Sequence, residues 1–208
     1  MPKYISKLRG IFFVALAFLV SSCSMYPAGF EVITSDKQKT PIVWNGLQFL
    51  PPQNGNWFVN KNDTPPRFVK SDSLTHTYVA RVYYATAPKF KNVNELAEST
   101  RPQWQLNADS ERFDVDKYEV IPDNKFGDFS VRHFKRYKDK GAPNKIGTPY
   151  LILEEYGYAF IHPYNPDLMV VVFYSERFTS GEQTKASIIE REQFINNVKI
   201  TPYRKNNN

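Results

Sequence analysis

Apolar and polar residues alternate along Thr75–Ala87 (THTYVARVYYATA), with Thr77, Val79, Arg81 and Tyr83 on one side and Tyr78, Ala80, Val82 and Tyr84 on the other. A period of two is the signature of a β-strand, and the second set reads as its core face. Phe113–Ile121 (FDVDKYEVI) alternates in the same way, with Phe113, Val115, Tyr118 and Val120 inward and acids outward, which predicts a half-solvated strand. Pro122-Asp123-Asn124 is a turn, and Phe126–Lys138 returns as a strand carrying Phe129, Val131 and Phe134 inward. Tyr150–His162 (YLILEEYGYAFIH) and Leu168–Phe178 (LMVVVFYSERF) are apolar on both faces, so they are central strands covered from both sides. Two prolines in the loop Pro163–Asp167 enforce the reversal between them.

The period shifts towards that of a helix in two places. Asn92 followed by Glu95 resembles a capping box and starts a helix at about Val93, which Pro102 ends or kinks because an interior proline loses a hydrogen bond and clashes with the preceding turn. Thr179 and Glu182 form a second capping signature, and Ala186, Ile188, Ile189, Phe194, Ile195 and Val198 make the following helix amphipathic, with Pro202 as its stop. Before the first long strand, two short apolar runs, IVWNGLQFL and NWFVN, are separated by the turn-forming PPQNG, which predicts an opening strand pair or hairpin with Trp44, Phe49, Trp57 and Phe58 in the core or as a hydrophobic lid. Ser24–Pro41 lacks sustained periodicity and reads as a tether, and residues 204–208 as a frayed tail. Residues 42–203 therefore form one α+β domain, a mostly antiparallel β-sheet with an interior helix and a C-terminal helix packed on it. That order of elements is similar to the PsbP-like fold, shared by an extrinsic lumenal subunit of photosystem II and a small Ran-binding protein. The likeness spans most of the chain after residue 41 and transfers no functional residue.

The first 22 residues have a different logic. Lys3, Lys7 and Arg9 precede an unbroken apolar run, Ile11–Val20, which has the layout of an export signal and is about half the length that spans a bilayer. Val20-Ser21-Ser22-Cys23 resembles the lipobox of bacterial lipoproteins. That resemblance implies cleavage before Cys23, a diacylglyceryl group on its thiol and a third acyl chain on the new amino terminus. At about 0.8 kcal/mol per buried methylene, two or more chains anchor stably. Ser24 resembles the outer-membrane default of Gram-negative sorting, which places the domain in the periplasm against a membrane, with an envelope protein or cell-wall component as its partner.

Composition changes the picture at two points. Cys23 is the single cysteine, so the chain has neither a disulfide nor a paired-thiolate metal site to draw on. The net charge of +6 falls to +3 when the three cations of the leader are removed, which is not the footprint of a nucleic-acid binder. No Gly-rich phosphate loop, HExxH or GxSxG motif occurs, and His76, His133 and His162 stand on separate predicted strands, so the sequence implies no cofactor and no metal.

Two constellations carry candidate chemistry. In the simplest hairpin register, Glu154, Tyr156, Tyr158, Phe160 and His162 share a face with Tyr174 and Glu176. This is an aromatic wall edged by Glu154, Glu176 and His162, suited to stacking on sugars, peptides or ring ligands. The same pattern also fits a ring cluster in the core beneath a helix, with Arg177 or another cation pairing the acids. The second is the basic stretch Arg132, His133, Lys135, Arg136, Lys138 and Lys140, a contact for an anionic surface or a strand end running into a solvated loop. Two functions follow: a non-catalytic binding or assembly module held by Cys23, or a periplasmic hydrolase using Glu154, Glu176 or His162 as acid or base.

Overall fold

The computed structural model describes residues 29–60, 62–106, 111–141 and 147–202, without the side chains of 101–106. The leader, Cys23 and the tail at 204–208 lie outside the described residues. The chain divides into two units at Phe30, and the second, from Glu31 onward, holds the domain.

Among the described residues eleven strands and three α-helices follow in order: β1 (Phe30–Val32), α1 (Ser35–Gln38), β2 (Ile42–Trp44), β3 (Leu47–Phe49), β4 (Phe58–Asn60), β5 (Arg67–Ser71), β6 (Thr77–Thr86), α2 (Val93–Leu106), β7 (Phe113–Pro122), β8 (Ser130–Asp139), β9 (Leu151–His162), β10 (Asn165–Phe178), α3 (Lys185–Asn196) and β11 (Lys199–Ile200). Eight form one sheet in the order β1-β4-β5-β6-β10-β9-β8-β7, and every pairing from β4 to β7 is antiparallel. A small second sheet runs β11-β3-β2. The α+β architecture read from the pattern is the one observed.

Each sheet face has its own core. On one face, Leu96 and Ala97 of α2 pack over Val120, Val131, Ala159, Met169 and Val171. On the other, Phe194 and Ile195 of α3 join Leu47 and Phe49 of the small sheet and Trp57, above Tyr78, Ala80, Val82, Tyr158 and Tyr174. The predicted core face of β6 is thus the buried one. β9 and β10 are central and covered on both sides, because their side chains of both parities have a layer to enter.

Several expectations need correction. The tether ends earlier than Pro41: β1 joins the large sheet, the Ile33 amide donates to the Trp57 carbonyl at 2.8 Å, and Ile33 is buried. The first hairpin closes inside the first apolar run, at Asn45-Gly46, where both residues take positive φ (41° and 79°), the primed-turn geometry that Asn-Gly favours. The second run joins the other sheet as β4. Helix α2 continues past Pro102 to Leu106: a proline removes one backbone bond, while the reciprocal bonds Glu95 N to Asn92 Oδ1 and Lys91 N to Glu95 Oε2 fix the helix start and burial of Leu96 and Ala97 holds its first turns. In β7 a bulge between Val115 and Lys117 brings Phe113, Val115, Tyr118 and Val120 to one face, although Val115 stays exposed beside the sheet edge. Val131 and Phe134 point to opposite faces.

Helix α3 begins at Lys185, capped by Thr184 Oγ1 on the Ser187 amide, whereas Thr179 and Glu182 merely close a turn. Ile188 and Ile189 are exposed, because the inward stripe is Ser187, Glu190, Phe194 and Ile195. Glu190 decides that stripe. Its Oε1 accepts from Trp57 Nε1 at 2.8 Å and the Asn54 amide at 3.1 Å, and its Oε2 from Lys70 Nζ at 2.7 Å and Tyr174 Oη at 3.1 Å. Burial, with the nearby carboxylate second, pushes the Tyr174 phenol well above its ordinary value, so it stays a donor. Lys70 Nζ also lies 4.2 Å from the Tyr78 ring centroid and 5.0 Å from that of Trp57.

Removing one partner of such a buried pair costs about 3–5 kcal/mol. Glu190→Gln is expected to lower the unfolding free energy of the full chain by that much, read as a lower urea midpoint at unchanged m, and Lys70→Met in the same chain to recover part of it. A loss below about 1 kcal/mol would place the fastening of α3 elsewhere.

Candidate functional site

Beyond an irregularity between Asn165 and Met169, the hairpin takes the expected register: Tyr174 pairs with Tyr156 and Glu176 with Glu154. The wall is nonetheless taken apart by burial. Tyr158 and Tyr174 lie in the core, and Tyr156 is only partly buried at its edge. Glu154 is held by Arg136 at 3.1 Å and by Gln183 Nε2 at 2.7 Å, and Glu176 by His76 at 2.7 Å. The cations on the acids are therefore Arg136 and His76, while Arg177 faces the other side and reaches Asp139 at 3.5 Å.

His162 sits eight residues from Glu154, roughly 26 Å along the strand. There its Nδ1 accepts from the Tyr164 amide at 3.2 Å, which leaves Nε2 as donor to the Gly46 carbonyl at 3.1 Å. The same carbonyl takes the Thr201 amide at 2.8 Å. His162 thus clamps the small sheet to the large one, and the expected meeting of Glu154, Glu176 and His162 does not occur.

Strand parity also divides the basic stretch. Lys135 and His133 enter the α2 face of the sheet, and Arg132, Arg136 and Lys138 the α3 face. Lys135 is buried on Glu155 at 2.7 Å, Arg136 is paired with Glu154, and Lys138 lies 5.3 Å from the Tyr150 ring centroid. A single cationic surface of Arg132, Lys135, Arg136 and Lys138 is therefore absent.

Burial holds His133 below the ordinary imidazole value despite its 3.1 Å contact with Glu155. For Glu155 burial alone would raise the pKa, but the His133 hydrogen bond and the Lys135 charge outweigh it and hold the carboxyl at about 2. His133 has room because Gly157 stands opposite; a Cβ there would lie 2.7 Å from the ring and 2.2 Å from the Val172 carbonyl oxygen.

What the α3 face does assemble is a groove of about 280 Å³ between α3 and the β7–β9 end of the sheet. Lys117, Glu119 and Ile121 reach it from β7, Arg132 and Phe134 from β8, Tyr156 from β9 and Arg191 from α3. The Arg191 guanidinium lies 4.4 Å from the Tyr156 ring centroid, and the nearby Tyr156 holds the Arg132 guanidinium above its ordinary pKa. Lys117 Nζ stands 5.4 Å from the Phe134 ring centroid. Lys117 and Arg191 were not singled out in the sequence. The bulge phases Lys117 onto this face, and Arg191 follows from the inward turn of its neighbour Glu190.

Among the described residues no three or more His, Cys, Asp or Glu gather as a metal site, and no helix is long and apolar enough to cross a membrane. No protein-family model matches the chain, and no curated protein matches it significantly.

The low Glu155 pKa has a definite sign. A carboxylate whose folded value lies below its ordinary 4.5 adds stability above that pH, and the gain disappears as pH falls from 4.5 to about 2. Urea midpoints measured across that window are expected to fall more steeply for the wild type than for Glu155→Gln. Equal slopes would remove the pairing account.

Proposed function

We propose that this protein is a bacterial envelope lipoprotein, anchored through Cys23 to the outer membrane and facing the periplasm, whose PsbP-like domain binds an envelope component without converting it. The anchor rests on the basic, apolar and small-residue order that leads to the single cysteine. The fold reading is supported by the position of α2 between β6 and β7 and of α3 after β10.

The observation that carries binding is the groove over Tyr156, a concave cationic and aromatic surface fixed by α3. The hydrolase alternative has less support. Glu154 and Glu176 are already held by Arg136, Gln183 and His76, and His162 lies at the far end of its strand in a clamp.

Cells carrying Cys23→Ser are expected to lose incorporation of labelled palmitate and to release the protein from the membrane fraction. A photoreactive phenylalanine analogue in place of Ile121 is expected to yield an envelope adduct, and the same analogue in place of the exposed Leu74 to yield none. Full membrane retention of Cys23→Ser would end the anchor reading, and equal adducts at both positions the binding reading.

A further inference from the structure

We propose that the Tyr156 groove takes an organic anion: a carboxylate or phosphate group gripped between Arg132 and Arg191, on a ring or acyl body lying against Phe134 and Ile121. This rests on the reading of the domain as a binding module and names the chemistry of what it binds.

The charge in the lining is unbalanced. Lys117, Arg132 and Arg191 face one carboxylate, Glu119, which lies 3.3 Å from Lys117. Arg132 has Asp123 no nearer than 4.0 Å, beyond hydrogen-bonding reach. Arg191 gives one bond to Glu192 at 3.1 Å, while its Nε is buried with no hydrogen-bond partner among the described residues. A buried donor left without an acceptor is costly, and an anion seated beside it removes that cost.

The Tyr156 ring face supports the Arg191 guanidinium, and Arg132 stands on the same sheet face of the neighbouring strand, so two planar forks line the groove before any ligand arrives. The remaining lining is apolar or aromatic, which sets the body of the ligand. A volume of about 280 Å³ suits one ring or a short chain. A polyanion would need a basic track, and along β8 Arg136 is already taken by Glu154 while Lys135 lies on the opposite face of the sheet.

The test uses the full lipidated protein in detergent micelles and fluorine NMR of three probes: 4-fluorobenzoate, 4-fluorophenyl phosphate and the neutral 4-fluorobenzyl alcohol. At least one anion is expected to bind saturably and more weakly as salt rises. Arg132→Gln and Arg191→Gln are each expected to weaken it about tenfold, as for the loss of a charge-assisted pair. Lys37→Gln, on the exposed helix α1, should change nothing. Preference for the benzoate points to a peptide or sugar acid, and preference for the phosphate ester to a lipid head group or a small phosphate ester.

Thermal midpoints matching the wild type certify the variants, and Arg132→Gln alone suffices if Arg191→Gln unfolds. Equal binding of the neutral alcohol, or anion binding indifferent to both arginines, would overturn the proposal. If the probes fail while the Ile121 adduct persists, the ligand class falls and the binding module stands. If the probes bind and the adduct is absent, the anion site stands and the envelope partner falls.

Discussion

Glu190 is the constraint on which the α3 layer depends. A carboxylate this deeply buried is stable only when donors surround it, and its four come from three separate stretches of chain: the segment of Asn54 and Trp57, Lys70 on β5 and Tyr174 on β10. Meeting all of them fixes the rotation of α3 about its own axis. Ser187, Phe194 and Ile195 are then carried into the core and Ile188 and Ile189 to the surface. Arg191, about 100° further round the helix, is delivered to the Tyr156 ring. One buried ion thus both fastens the layer and builds a wall of the groove.

The large sheet imposes a second rule. With side chains alternating between faces, adjacent charges in sequence are separated by the full thickness of the sheet. Arg132 and Arg136 meet α3, and Lys135 meets Glu155 on the opposite side. The bulge in β7 breaks the alternation, and it is what brings Lys117 and Glu119 to the face of Arg132. Charge in this protein is distributed by parity first and by local sequence second.

The same rule explains what was legible in the chain. The alternating run β6 and the long doubly apolar runs β9 and β10, with their hairpin register, could be read directly, because both faces are filled and their length leaves few other pairings. The short strands β1, β5 and β11 have too few residues for periodicity and exist through their partners. Asn45-Gly46 and the Asn54-Gly55 of PPQNG are both turn dipeptides, and local sequence does not rank the two. Of the groove, Arg132 and Tyr156 stood out early. Lys117 and Arg191 depend on a bulge and a helix rotation, which are tertiary outcomes.

The last strand has a bearing on when this domain can be finished. β11 pairs Lys199 with Gln48, and Thr201 reaches Gly46, so the small sheet joins residues about 150 positions apart. Contacts of that separation close late, after most of the chain is available to fold. Until Lys199–Thr201 are available, the Asn45-Gly46 hairpin has neither its third strand nor the α3 cover it shares, so the small sheet is assembled only once every strand of the large one exists.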